Sequence, residues 1–186
     1  MAVRHRPDWI GVVATDEKRT KSHSSRPVVR AGWREWVGLP DLGVEYIKAK
    51  LDTGARSSAL HAFDLVEFER DGVSWVRFSI HPWQESAEDS HTVELPVHDR
   101  RTIRSSTGHV QQRYVVTMNL RLLDQTFPVE VTLARRDAMG FRLLIGREAL
   151  RQGFVVDSGS SYRGGRPPKQ VRRRNRGVTK KSPKTD

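Results

Sequence analysis

Cysteine is absent from all 186 residues. That excludes disulfide staples, thiolate metal sites and a cysteine nucleophile, and it suits a reducing compartment. Long apolar runs are missing as well. Nothing in Met1 to Arg30 resembles a signal peptide, and no stretch approaches the roughly 20 apolar residues that a membrane-spanning helix needs. A soluble, cytoplasmic protein without membrane contact is therefore expected, of a length that suits one domain with a real core. Two catalytic signatures are lacking too: no Gly-x-x-x-x-Gly-Lys-Ser/Thr loop to cradle ATP phosphates, and no His-Glu-x-x-His helix to hold zinc. The seven histidines, His5, His23, His61, His81, His91, His98 and His109, stand at spacings that match no familiar site. Neither a metal nor another cofactor is expected.

Positive charge is what the chain has in excess, with a net +11 at neutral pH. Its distribution is uneven: Met1 to Arg30 carries +4, Ala31 to Tyr162 carries −2, and Arg163 to Asp186 carries +9. A near-neutral folded body between two basic ends follows. Residues 1–30 read as a basic, disordered extension, 31–162 as the domain, and 163–186 as a basic, disordered tail. The tail segments Arg163-Gly-Gly-Arg-Pro-Pro-Lys169 and Arg172-Arg-Arg-Asn-Arg-Gly177 combine Gly and Pro with no apolar periodicity. Such a tail can contact RNA or ribosomes by neutralising phosphates, or serve only as a solvated end.

Within the body, apolar residues recur at every second position. Ile47, Ala49 and Leu51 alternate with Lys48 and Lys50, and Val76, Phe78 and Ile80 alternate with Arg77 and Ser79. Tyr114 to Leu122 and Phe127 to Leu133 repeat the pattern on either side of Asp124-Gln125, which predicts a hairpin. Arg147 to Gln152, stopped by Gly153, is the best helix candidate. The expected fold class is all-β, a small closed barrel with one short C-terminal helix.

Two motifs carry chemistry. Leu51-Asp52-Thr53-Gly54-Ala55 delivers a carboxylate from an apolar strand into a turn of small residues, the way aspartic proteases present theirs. Leu143-Leu144-Ile145-Gly146, followed by the short helix, resembles the apolar-apolar-Gly element that braces that loop in retropepsin-like proteases. The order of the two, with hairpins between them, is more specific than either alone. Lys48 to His61, Arg104-Ser-Ser-Thr-Gly108 with Arg113, Arg136-Asp-Ala-Met139, and Leu143 to Arg147 together resemble the RimB-type retropepsin-like proteases. Members of that family are often labelled ATP-dependent zinc proteases, a label that the missing zinc and ATP signatures argue against. The resemblance spans roughly Trp33 to Tyr162. It implies a retropepsin-like barrel and a protease that trims the poly-α-glutamate tail added to a small-subunit ribosomal protein by the ligase RimK.

Peptide hydrolysis of this kind needs two carboxylates sharing one proton around a water, since neighbouring like charges titrate in separate steps. Asp52 supplies one, with Thr53 bracing the turn and Gly54 allowing close approach. A homodimer would bring the Asp52 of two subunits together. Asp157, in Phe154-Val-Val-Asp157-Ser-Gly-Ser160, is the alternative second carboxylate within one chain. An anionic substrate would need cations near the motifs, which nominates Lys50, Arg56, Arg104, Arg113, Arg136 and Arg147. The flap is expected at Ser105 to His109 or at His81 to His91. About ninety residues separate Asp52 from Gly146, so extra strands or a long loop lie between them. Two alternatives stay open: a general endopeptidase of the same fold, and a non-enzymatic RNA- or ribosome-binding module working through the basic ends.

Overall fold

A computed structural model describes residues 28–87, 89–104, 110–135 and 140–178, with the side chains of residues 103 and 104 outside that set. In chain order the strands are β1 (Val29–Gly32), β2 (Arg34–Leu39), β3 (Val44–Asp52), β4 (Ser58–His61), β5 (Phe63–Arg70), β6 (Val73–Ile80), β7 (His91–Arg104), β8 (Val110–Leu122), β9 (Gln125–Ala134), β10 (Leu143–Gly146) and β11 (Phe154–Asp157). The helices are short: a 3-10 turn at Pro40–Leu42, α1 (Arg147–Leu150) and α2 (Lys169–Arg174).

Strands run β2-β3-β10-β4-β9-β8, and a β2–β8 pairing through Val37 and Leu122 closes them into a six-stranded barrel. Closure removes the open edges that such a sheet would otherwise expose. β7, β6 and β5 continue from β8 as an antiparallel extension, and these are the additional strands that the long interval between the motifs called for. The alternation read from the sequence is the alternation of burial. Ile47, Ala49 and Leu51 of β3, Phe78 and Ile80 of β6, and Met118, Leu120 and Leu122 of β8 fill one core. Each fully buried Leu or Ile contributes about 1.5–3 kcal/mol.

The β8–β9 hairpin forms as expected, but Leu122 pairs with Gln125, so its two-residue turn is Leu123-Asp124. α1 forms where predicted and buries Ala149 and Leu150 in the core. Of the expected N-terminal extension, residues 1–27 lie outside the described residues, and its last two residues, Val29 and Arg30, are not disordered but belong to β1, paired with Phe154 and Val155 of β11.

The tail differs from expectation. Residues 163–178 pack on the body and include α2, a second short helix where composition predicted disorder. The causes are long-range polar contacts that carry no periodicity. Buried Glu35 accepts the backbone N–H groups of Gly32 (2.7 Å), Arg163 (2.9 Å) and Gly164 (3.2 Å). Buried Asn175 accepts the Gln84 N–H on its side chain and the Glu85 N–H on its main-chain oxygen. Among the described residues no helix is long and apolar enough to cross a membrane.

Candidate active site

β3 alternates faces, so Ile47, Ala49 and Leu51 enter the core while Lys48, Lys50 and Asp52 share the outer face. β10 runs parallel to β3, with Gly146 opposite Asp52. β4 flanks the other side of β10, so the loop from Thr53 to Ser57 must cross the end of β10. Only glycine fits at that crossing: a Cβ on Gly146 would lie 2.6 Å from the carbonyl carbon and oxygen of Ser57. Three further bonds tie the loop to the start of α1. The N–H groups of Arg147 and Glu148 donate to the carbonyls of Ala55 and Arg56, and the Arg147 guanidinium donates to the Gly54 carbonyl at 3.1 Å. The Gly146 N–H also donates to the Ser58 hydroxyl.

Inside this frame the Asp52 carboxylate is fixed. Its Oδ1 accepts the N–H groups of Gly54 (3.1 Å) and Ala55 (3.2 Å), and its Oδ2 lies 3.1 Å from Lys50 Nζ. The Lys50 ammonium holds the carboxyl below the usual carboxylate range; partial desolvation opposes it, and the two backbone donors add to it. Asp52 is therefore ionised at neutral pH, with its side chain 26% exposed. That leaves it reachable by a water and a substrate carbonyl.

The nominated cations divide into three sets. Lys50, Arg56 and Arg147 are part of the Asp52 loop assembly, with the Arg56 side chain paired with Glu148 at 2.7 Å. Arg113 lies on β8 in a separate groove with Asp64, Leu65 and Tyr114, its Nε donating to Gln111. Arg136 and the Arg104 side chain fall outside the described residues, as do Ser105 to His109, the first flap candidate. The second flap candidate is anchored. Arg142 donates to the carbonyls of Trp83 and Gln84, Trp83 Nε1 donates to Asp89, and Asn175 holds Gln84 and Glu85. His61 is buried beside Phe63, a packing position. Among the described residues no three of His, Asp or Glu gather into a group that could hold a metal.

Asp157 occupies a different environment. It ends β11, which pairs with β1 in a two-stranded sheet outside the barrel. Its oxygens accept the Ser160 hydroxyl (2.8 Å) and the Gly159 N–H (3.0 Å), which pull its carboxyl below the ordinary range. Among the described residues Asp52 and Asp157 share no hydrogen-bond partner, and after Asp157 the described chain forms only α2.

Arg34 was not among the residues nominated from sequence. It faces Lys50 across the β2–β3 ladder, on the outer face that carries Asp52. The alternation Arg34-Glu35-Trp36 signals a strand, but only the register tells which residue stands beside the carboxylate.

The barrel, the Asp-Thr-Gly turn and the Gly146 crossing now meet what comparison with known proteins finds. Residues 28–167 match the RimB-like family, described as retropepsin-like aspartic endopeptidase RimB. The chain belongs to this family. RimB-like proteins are thus aspartic peptidases at the level of the family, and this chain has their barrel. Curated relatives add a second context. A protein of Parasynechococcus marenigrum is 43% identical over 70% of this chain and 28% of its own length, and one of Shewanella halifaxensis is 44% identical over 70% and 29%. Both are named "Probable alpha-L-glutamate ligase". The chain spans under a third of those relatives, so the match concerns one segment of a longer protein. A crystal structure of a Legionella pneumophila protein of unknown function (DUF785) superposes with a TM-score of 0.64 at 28% identity, covering 73% of this chain and 98% of that one.

Proposed function

We propose that this chain is an aspartic peptidase that trims poly-α-glutamate, working as a homodimer in which each subunit contributes one Asp52. The observation that carries the reading is the Asp52 carboxylate itself, held by two backbone donors on a loop clamped over Gly146. In the dimer one Asp52 is ionised and takes a proton from the attacking water. The other is protonated and donates to the scissile carbonyl oxygen, and collapse of the tetrahedral adduct releases the amine. Thr53 and Gly54 keep the turn small enough for two such loops to approach.

Preference for glutamate is supported by charge. Lys50 touches Asp52, Arg34 stands across from Lys50, and Arg147 borders the loop. It is also supported by the company the segment keeps, since relatives sharing it are named as glutamate ligases. Trimming would act on the product of such a ligase, a glutamate-extended protein.

Incubation with poly-α-glutamate and, separately, with an uncharged peptide mixture tests the reading. Cleavage of the first with little of the second is expected, and equal cleavage would mark a general endopeptidase. Asp52→Asn keeps an oxygen for the Gly54 and Ala55 donors, so the fold should persist while hydrolysis falls by at least about a thousandfold. Retained hydrolysis in that variant would end the aspartic mechanism.

A further inference from the structure

The basic face of β3 does not end at the candidate site. Lys48, Lys50 and Asp52 lie in line on the outer face, and the ladder places Arg34 beside Lys50 and Trp36 beside Lys48. At about 3.3 Å per residue, Lys48 is about 13 Å from Asp52 along the strand. There the surface opens into a cavity of about 640 Å³ between the barrel and the C-terminal segment. Among the described residues Arg34, Lys48, Arg166, Arg172 and Arg176 line it, against a single carboxylate, Glu85.

Among the described residues none of these five cations has a carboxylate partner. Arg34 and Arg166 stack on the Tyr162 ring, at 5.1 Å each, and Lys48 lies over Phe141. Arg34 Nε donates to the Ser161 hydroxyl. The Nε of Arg172 is buried and meets no acceptor among the described residues, which is costly for a charged donor in the absence of an anionic acceptor. Cations gathered against one another, held by rings, form a receptor for several carboxylates at once.

We propose that this cavity is a second binding site for an acidic peptide chain, engaging glutamate side chains about four residues from the bond positioned at Asp52. The proposal rests on the poly-α-glutamate reading and deepens it, making the enzyme a reader of tail length. Short tails contact Lys50 and Arg34 alone; longer ones also reach Arg166, Arg172 and Arg176. The C-terminal segment, pinned by Glu35 and, through its own Asn175, by Gln84 and Glu85, supplies the far wall. An acidic peptide is favoured over a nucleic acid because the cations continue one strand face from Asp52 into a concave site.

Binding of fluorescent hexa-α-glutamate and di-α-glutamate to the Asp52→Asn protein provides the test. The full chain carrying Asp52→Asn is compared with the same chain also carrying Arg166→Gln, Arg172→Gln and Arg176→Gln. Hexaglutamate should bind about tenfold more weakly to the second protein, with diglutamate changed by less than about twofold. Arg172→Lys, which keeps the charge, should recover part of the loss, and matching melting curves exclude unfolding as its cause. Unchanged hexaglutamate affinity overturns the proposal. So does loss of a single-stranded RNA oligonucleotide without loss of hexaglutamate, which would make the cavity a phosphate site. If the arginine variants lose hexaglutamate but the wild-type enzyme never cleaves it, the binding site stands and the peptidase reading falls.

Discussion

In the proposed mechanism Lys50 sets the pH at which Asp52 works. Its ammonium lies on the carboxylate and lowers its affinity for protons, as do the Ala55 and Gly54 donors. Two such carboxylates sharing one proton are active between their two titration steps, so a cation beside each moves the whole window toward acid. Removing it has the opposite sign: Lys50→Met should shift both limbs of the pH profile of kcat/KM to higher pH. A profile that stays put or moves down would show that Lys50 leaves Asp52 in the assembled site. Gly146 is the second residue on which the site depends. Gly146→Ala drives a Cβ into the Ser57 carbonyl at 2.6 Å. The loop must then move, and we expect about 2–4 kcal/mol of lost stability in denaturant unfolding, with activity lost beyond what the unfolded fraction explains.

Among the elements, the strands that position Asp52 were legible and the segment that flanks them was not. β3, β8 and β9 announce themselves because one face is buried and the period of two survives in Ile47-Ala49-Leu51 and Met118-Leu120-Leu122. The Asp52 turn and the Gly146 crossing were legible for a different reason, since a close backbone approach leaves few residue types to choose from. Residues 163–178 were illegible because contacts between residues far apart in sequence hold their packing, Glu35 with Arg163 and Gly164 and Asn175 with Gln84 and Glu85, while local composition still reads as disorder. Arg34 escaped for want of the β2–β3 register. Glu35→Ala removes three hydrogen bonds from a buried carboxylate. It should cost about 3 kcal/mol and make residues 163–178 far more susceptible to limited proteolysis. A variant as stable and as protease-resistant as the parent would mean that the segment is held by something else.

At the scale of the whole molecule, the proposed mechanism needs two chains. One chain supplies a single Asp52, and Asp157 is engaged elsewhere, at the end of the β1–β11 sheet. In the proposed dimer, two-fold pairing would satisfy the chemistry with identical surfaces, and Lys50 on each side would offset the charge of two carboxylates brought together. Specific activity should accordingly fall on dilution through the dimer dissociation range, in step with the loss of dimer seen by sedimentation. The most direct measurement is a mixing series in which wild-type and Asp52→Asn chains are co-refolded at fixed total concentration and assayed on poly-α-glutamate. If both Asp52 carboxylates are needed, activity follows the square of the wild-type fraction, and an equal mixture retains about a quarter of the wild-type rate. Retention of about half, a linear dependence, would contradict a site shared between two subunits.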